Sequence, residues 1–157
     1  MNRPSWDEYF MNIAYETARR SNCSRRQIGA VLVRDRRIVS TGYNGTPLGV
    51  KNCFDGGCVR CSSDVPSGQG YDTCICVHAE QNAIVLAARN GTSTDNCVLY
   101  STLRPCFGCV KESIQAGITE IIYYEEYRYP DELEQVYQGL IQEARLVLRQ
   151  LTIDLKR

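Results

Sequence analysis

A chain of 157 residues, 43% of them apolar, is long enough to bury the core of one domain, and we expect a single domain over residues 1–157. It has no apolar run near the roughly 20 residues that span a bilayer, and its N-terminus lacks the layout of a signal peptide, so we expect a cytoplasmic protein without a membrane partner. The 18 basic and 18 acidic side chains cancel, which disfavours long nucleic acid as a ligand because phosphate backbones are usually bound by a basic excess.

The first third of the chain predicts a helix followed by a β-hairpin. Ser5 and Glu8 form a capping box ahead of apolar residues at helical spacing, which predicts a helix that runs to about Arg20. Two β-rich runs, 27–33 and 37–41, are separated by a short charged turn and predict the two strands of the hairpin.

The second half of the chain predicts helices and strands in alternation. We predict helices over 77–90, 106–116 and 131–143, and strands over 97–101, 118–124 and 146–153. Gly91 and Gly117 follow two of these helices and are expected to close them. A hairpin followed by this alternation argues for one α/β domain, in which a mixed sheet carries helices on both faces.

Residues 48–77 show no periodicity, and a loop of that length in a small domain is uncommon unless something functional organises it. Cysteine is the obvious organiser, because five of the nine cysteines lie in this stretch. An odd count, two Cys-x-x-Cys pairs and no visible export signal favour metal binding or catalysis over a disulfide framework. Cys97 lies in an apolar strand and is interpreted as core packing.

Three residues at the starts of two predicted helices form a candidate metal site: His78, which is the only histidine, and Cys106 with Cys109. One imidazole and two thiolates suit a catalytic zinc ion and leave a fourth tetrahedral position for water. The two cysteines are three apart in a first helical turn, so both sulfurs point to one side. The positive ends of the helix dipoles favour thiolate over thiol and hydroxide over water.

Glu80 is the candidate proton carrier beside this site. Zinc lowers the pKa of a bound water toward about 7, and a nearby carboxylate can accept the released proton. In a deamination, the same carboxylate protonates the ring nitrogen and then the departing ammonia. The arrangement His-x-Glu followed by Pro-Cys-x-x-Cys is typical of zinc deaminases.

Three segments of the chain resemble the deoxycytidylate (dCMP) deaminase family: residues 20–31, the turn 42–47 (Gly-Tyr-Asn-Gly-Thr-Pro), and residues 78–84. The likeness extends from the first helix to about Tyr124. The resemblance implies the cytidine deaminase fold, which is a five-stranded mixed sheet between helices with metal ligands on two helix N-termini. It also implies hydrolysis of dCMP to dUMP and ammonia for thymidylate synthesis.

The same resemblance implies further site residues and partners. The side chain of Asn44 would bind the sugar hydroxyl, and the backbone at Ala79 would help to hold the base. Many members of the family are hexamers that dCTP activates and dTTP inhibits, with Mg²⁺ on the triphosphate.

A second, structural zinc ion is also implied, since some members hold one with cysteines that match Cys23 and Cys53. The expected ligands are Cys23, Cys53, Cys58 and Cys74, with Cys61 as an alternate. Free or redox-active thiols are the alternative interpretation, and whether Cys76 takes part stays open.

Phosphate recognition is expected from arginine, because a planar guanidinium matches phosphate oxygens. The candidates are Arg25, Arg26, Arg89 and Arg128. The alternative for each of them is a surface charge exposed to solvent, and for Arg89 a role in a subunit interface is a further alternative.

Other functions stay open at this point. One is deamination of another cytosine nucleotide or of nucleic acid, either tRNA or single-stranded DNA, which shares the zinc motif. Another is a zinc-stabilised binding protein with no activity. Glu80 distinguishes a deaminase from a binding protein without activity, because a purely structural zinc site does not require that carboxylate.

Overall fold

The computed structural model describes residues 3–155, which contain a five-stranded sheet with helices on both faces. The strands are β1 (Gly29–Arg34), β2 (Arg37–Tyr43), β3 (Val98–Leu103), β4 (Glu120–Glu125) and β5 (Val147–Gln150). Their order in the sheet is β2-β1-β3-β4-β5. Strand β1 pairs antiparallel with β2 and β3, whereas β3, β4 and β5 are parallel to one another. The predicted five-stranded mixed sheet is therefore confirmed.

The helices are α1 (Trp6–Ala18), α2 (Val59–Ser62), α3 (Ala79–Arg89), α4 (Phe107–Gln115) and α5 (Asp131–Glu143). Ser5 caps α1 by accepting a hydrogen bond from the Glu8 amide at 3.1 Å, as the sequence predicts. Gly91 and Gly117 close α3 and α4 in the left-handed region, at φ +66° and +75°. Within residues 3–155 no helix is long and apolar enough to cross a membrane.

Several predicted boundaries differ from the structure by one to three residues, the last strand most, since it covers Val147–Gln150 rather than 146–153, and two of the differences have identifiable reasons. Helix α1 ends at Ala18 rather than Arg20, because the next residues turn back through i→i−3 hydrogen bonds. Strand β1 begins at Gly29 rather than Gln27, because the amide of Ile28 donates to a side chain and not to a neighbouring strand. The aperiodic stretch is also not structureless. It contains α2 and two short 3-10 segments, Cys53–Asp55 and Tyr71–Thr73.

The two faces of the sheet bury separate cores. Alternate residues of β1 divide between them: Val31 and Val33 face α1, while Ala30 and Leu32 face the core shared by α3, α4 and α5. Cys97 is fully buried in the latter core, in keeping with its interpretation as a packing residue.

Helix α3 lies almost directly on the backbone of β2. A Cβ atom built on Gly42 would stand 2.1 Å from the carbonyl oxygen of Ala79 and 2.5 Å from the amide nitrogen of Ala83. Only a glycine permits this approach. Because Ala79 is the first residue of α3, the contact fixes where the helix begins on the sheet.

We expect Gly42→Ala to lower the free energy of unfolding by about 1–3 kcal/mol or more, since two backbones would have to separate. Gly139→Ala is the matched control: it lies in α5 with no atom within 4 Å of the added methyl group, and it should stabilise the protein by about 0.5–1 kcal/mol. Urea unfolding measures both variants. If Gly42→Ala were as stable as Gly139→Ala, the close contact between α3 and β2 would be contradicted.

Candidate functional site

The N-termini of α3 and α4 meet at one edge of the sheet. His78 is the residue immediately before α3, and Cys106 is the residue immediately before α4. Cys109 lies in the first turn of α4. The structure thus brings the three predicted metal ligands together, although 28 residues separate the histidine from the first cysteine.

The three donor atoms have the spacing of one zinc coordination sphere. The Sγ atoms of Cys106 and Cys109 each lie 3.4 Å from Nδ1 of His78, and all three atoms lie within 4.8 Å of one another. Zinc bonds of about 2.3 Å to sulfur and about 2.0–2.1 Å to nitrogen, at tetrahedral angles, would set the nitrogen and sulfur about 3.5 Å apart. These donors therefore fit a single zinc ion with three protein ligands.

One of the three ligands, Cys106, favours the ionised form that a metal requires. The Cys109 thiol, together with the His78 imidazole, lowers the pKa of Cys106 to about 4. The Cys106 sulfur in turn raises the pKa of His78. A thiolate held this way binds a metal without first having to lose a proton at neutral pH.

Glu80 lies beside the metal ligands in the interior of the protein, with 4% of its surface exposed. Its Oε1 atom accepts a hydrogen bond from the Ser101 hydroxyl at 3.1 Å, and its Oε2 atom lies 3.5 Å from the Cys109 sulfur. Burial raises the pKa of this carboxyl group. A carboxylate in such a place can take up and release a proton next to the metal position.

Several residues that support the site are not evident from the sequence motif. Gln81 accepts a hydrogen bond from the His78 amide at 2.9 Å and donates one to Glu112 at 2.9 Å, which joins α3 to α4. The hydroxyl of Tyr129 accepts from the Phe107 amide at 2.8 Å, at the start of α4. None of these supporting residues, nor Ser101 beside Glu80, belongs to the sequence motif.

A buried ion pair holds the segment that leads into Cys106. The guanidinium of Arg104 donates to both carboxylate oxygens of Glu134, at 2.6 and 3.0 Å, and lies 4.4 Å from the centre of the Tyr137 ring. The Tyr137 hydroxyl donates to the carbonyl of Pro105 at 2.8 Å. Helix α5 therefore anchors the residues on the N-terminal side of the metal ligand.

The two predicted substrate-binding residues lie close to the start of α3. Asn44 is buried, and its Oδ1 atom accepts from the Ser21 hydroxyl and the Ile28 amide, both at 2.8 Å. One of its amide N–H groups donates to the carbonyl of Arg26 at 2.8 Å. Ala79 is fully buried in the core.

Two of the four candidate phosphate ligands are engaged elsewhere. The guanidinium of Arg25 donates to the carbonyl oxygens of Arg60, Cys61, Ser63 and Val65, so a phosphate would have to displace these bonds. Arg128 is exposed and pairs with Asp131 at 3.3 Å.

The other two candidates differ in their distance from the site. Arg89 ends α3, about 15 Å along the helix axis from its first residue. Arg26 is exposed and lies within electrostatic reach of Tyr127. Burial raises the pKa of that phenol, with Cys106 contributing to the rise and Arg26 opposing it. The carbonyl of Arg26 accepts from Asn44, so Arg26 is the candidate next to a predicted substrate-binding residue.

All the remaining cysteines except Cys97 form a second cluster, which differs from the expected one. Six thiols gather there, and none of the nine in the described residues forms a disulfide. Two overlapping groups of four have all sulfurs within 4.8 Å of one another: Cys23, Cys53, Cys61 and Cys76, and Cys58, Cys61, Cys74 and Cys76. The expected set of Cys23, Cys53, Cys58 and Cys74 does not form one group, because Cys61 and Cys76 lie between its two halves.

An α/β sheet that presents an imidazole and two thiolates from two helix N-termini, with a buried carboxylate beside them, defines the class of zinc-binding deaminase domains. The chain matches the family model of the cytidine and deoxycytidylate deaminase zinc-binding region over residues 4–125 and belongs to that family.

Curated relatives carry the same fold-defining region within longer chains. The deoxycytidylate deaminase of Schizosaccharomyces pombe is 45% identical over 148 residues, which cover 94% of this chain and 44% of the relative. That of Saccharomyces cerevisiae is 42% identical, with 96% and 46% covered. The chain thus spans less than half the length of these two relatives.

A solved structure supports the fold assignment over nearly the whole chain. The crystal structure of dCMP deaminase from the cyanophage S-TIM5 in complex with dCMP and dUMP superposes with a TM-score of 0.73 at 29% identity. The match covers 96% of this chain and 100% of that one. The cytidine deaminase fold implied by the sequence is confirmed.

The ion pair beside the metal ligands predicts an acid-sensitive stability. Arg104 lowers the pKa of Glu134 to about 2 in the folded protein, compared with about 4.3 for an unfolded glutamate. Stability from this group is complete above about pH 4.3 and is lost as the pH falls toward 2, because the unfolded chain binds the proton first. We expect Glu134→Gln to flatten the stability profile across this window, in urea unfolding at stepped pH.

The exposed Glu132, on the same helical turn, provides the control. Glu132→Gln should keep the slope of the unsubstituted protein, and loss of metal in acid affects both variants alike. If the Glu134→Gln profile paralleled that of the control, the ion pair would carry no pH dependence.

Proposed function

We propose that this chain catalyses the hydrolytic deamination of dCMP to dUMP and ammonia, as a step toward thymidylate precursors. The observation that carries the proposal is the buried carboxylate of Glu80 next to three donors arranged for one zinc ion. The names of the curated relatives and of the cyanophage structure support the choice of nucleotide.

His78, Cys106 and Cys109 would hold the zinc ion, which supplies an activated water at neutral pH. Glu80 would take the proton of that water and pass it to N3 of the cytosine ring. A C–O bond forms at C4 and the C–N bond to the exocyclic amine breaks. Glu80 would deliver the second proton to the departing amine, so that ammonia leaves and the 4-keto product remains.

The proposed substrate contacts use residues close to the start of α3. The second amide N–H of Asn44 would bind the sugar hydroxyl, and its other bonds hold the side chain in place for this contact. The backbone at Ala79 would hold the base. Among the four arginines, we assign the phosphate to Arg26, because it is exposed and its carbonyl accepts from Asn44.

Two alternative functions fit the observations less well. A deaminase of tRNA or single-stranded DNA would gain from a basic surface, but basic and acidic residues balance at 18 each. A non-enzymatic zinc-binding protein would have no reason to bury Glu80 against its metal ligands, since an unpaired buried carboxylate is costly.

We also propose that the active form is a homo-oligomer, a hexamer in keeping with the resemblance, and that dCTP and dTTP regulate it with Mg²⁺ on the triphosphate. Exposed apolar side chains on the outer face of α3, Val85 and Leu86, support a subunit contact. A sigmoidal dependence of the deamination rate on dCMP concentration, which becomes hyperbolic when dCTP and Mg²⁺ are added, would support the proposed regulation. A hyperbolic curve that neither nucleotide changes would contradict the proposed regulation.

At the cysteine cluster we propose a structural metal site.

Glu80→Gln should lower kcat for dCMP by about 10²–10⁴-fold, because it removes the group that moves the protons. The zinc content of the variant should be unchanged, since Glu80 is not one of the metal donors. Glu143→Gln, at the exposed end of α5, is the control and should keep full activity. Ammonia release and metal analysis on the same samples measure both quantities. A fully active Glu80→Gln enzyme would rule out the proposed proton carrier.

The phosphate assignment predicts a change that depends on the substrate. With dCMP, Arg26→Ala should reduce kcat/KM by about 10–100-fold, the value of one charge-assisted hydrogen bond. With deoxycytidine, which lacks the phosphate, the variant should match the unsubstituted enzyme. Arg19→Ala, an exposed arginine just after α1, is the control and should change the rate with neither substrate.

The same assay tests the substrate class. Ammonia release from dCMP should exceed that from deoxycytidine, dCTP, single-stranded DNA and tRNA at equal concentration. A preference for either nucleic acid would replace the proposed function. Equal use of dCMP and deoxycytidine would remove the phosphate contact.

A further inference from the structure

The loop that contains most of the cysteines has no apolar core of its own. Its large apolar side chains point outward: Leu48 is 86% exposed, Val59 82% and Phe54 60%. The side chains buried in its interior are sulfurs, which form a separate cluster, and the guanidinium of Arg60, which donates to the carbonyls of Pro66 and Gln69. Hydrophobic burial contributes little to the order of such a loop. Its order therefore depends on hydrogen bonds and on whatever the clustered sulfurs bind.

The distances between these sulfurs have a specific value. Sγ of Cys74 lies 3.9 Å from that of Cys58 and 3.8 Å from that of Cys61, and Cys61 lies 4.0 Å from Cys76. A disulfide bond would require about 2.05 Å. Four sulfurs at about 2.3 Å from a tetrahedral zinc ion stand about 3.8 Å from one another. The spacing is that of the edges of a zinc–sulfur tetrahedron.

Two such tetrahedra share an edge. Cys61 and Cys76 belong to both groups of four, while Cys23 with Cys53 complete one group and Cys58 with Cys74 complete the other. A single ion would use four thiols and leave two others buried beside it. Two ions use all six.

We propose that the loop is organised by a binuclear zinc cluster, in which six thiolates hold two ions and the sulfurs of Cys61 and Cys76 each bridge both. An all-sulfur, four-coordinate donor set with no oxygen or imidazole among it selects zinc among the common divalent ions. The cluster would replace the missing apolar core, because binding of the ions is coupled to the folding of the loop.

Hydrogen bonds also tie the segment that contains Cys23 to two other segments of the cluster. The amide of Ser24 donates to Sγ of Cys53 at 3.4 Å, a bond that favours a thiolate. Next along the chain, Arg25 donates to four carbonyl oxygens between residues 60 and 65. The segment with Cys23 is thereby tied to the segment with Cys61.

The cluster is separate from the His78 site but is connected to it by a short stretch of chain. Cys76 precedes His78 by two residues, and the residue between them, Val77, pairs with Gly45 in an isolated β-bridge. A bridging ligand therefore stands directly ahead of a ligand of the other site. The inference goes beyond the proposed function, since the six thiols belong to neither the donors nor the proton carrier of the reaction.

Counting metal tests the proposal on the full chain, purified under reducing conditions without chelator. Metal analysis should give three zinc ions per chain, and His78→Ala should give two, because it removes only the ion of the other site. Two ions in the unsubstituted protein and one in His78→Ala would overturn the binuclear cluster in favour of a single ion. One ion in the unsubstituted protein and none in His78→Ala would show that the loop binds no metal. Iron in place of zinc would also overturn it.

Single substitutions test which thiols bind. Cys23→Ser and Cys74→Ser should each lower the ratio by one ion, since each removes a ligand of a different tetrahedron. With a single ion in either group of four, one of the two variants would leave the ratio unchanged and the proposal would fail. Cys97→Ser, a buried cysteine of the main core, is the control and should retain three ions.

The bridges have a spectroscopic signature that needs no substitution in the loop. In His78→Ala protein loaded with cadmium-113, two resonances of sulfur-bound cadmium should be split by coupling to each other through the shared sulfurs. Two uncoupled resonances, or one, would overturn the bridged arrangement. If the unsubstituted protein binds three zinc ions but does not deaminate dCMP, the result counts against the proposed function and not against the cluster.

Discussion

Every chemical property of the site depends on two helix N-termini reaching the same point. His78 stands before α3 and Cys106 before α4, and their donor atoms must lie about 3.5 Å apart to share an ion. The sheet provides this convergence. Strands β2 and β3 run in the same direction on either side of β1, so their C-terminal ends lie at one edge. Helix α4 follows β3 there, and α3 starts on the backbone of β2 at Gly42.

The meeting of the two helix N-termini explains why charged side chains are buried near this point. A buried carboxylate such as Glu80 is destabilising unless it has partners, and the Ser101 hydroxyl on β3 provides one. The buried pair of Arg104 and Glu134 ties α5 to the segment ahead of Cys106. Buried charges are concentrated around the metal ligands, where a displacement of a fraction of an ångström would change the coordination geometry.

The molecule uses two different means of support. The sheet and its four long helices are held by apolar packing on both faces, whereas the loop between β2 and α3 packs sulfur against sulfur. On the proposal of a binuclear cluster, the order of this loop depends on metal and on thiol redox state. The segment that leads into His78 would depend on both, since Cys76 lies two residues before it.

The sequence by itself determined what local geometry controls. Helix caps, alternating apolar residues and closing glycines act over a few neighbours, so the five strands and the four long helices were predictable in their order, with boundaries within three residues. The candidate zinc donors were predictable because a fixed motif places each at a helix start. Tertiary structure alone decided the long-range partners: which cysteines share a group, that Arg25 binds loop carbonyls, and that Arg104 meets Glu134. Spacing along a chain reports distances over one or two helical turns, and neighbours 30 residues apart are set only when strands pair and helices pack on them.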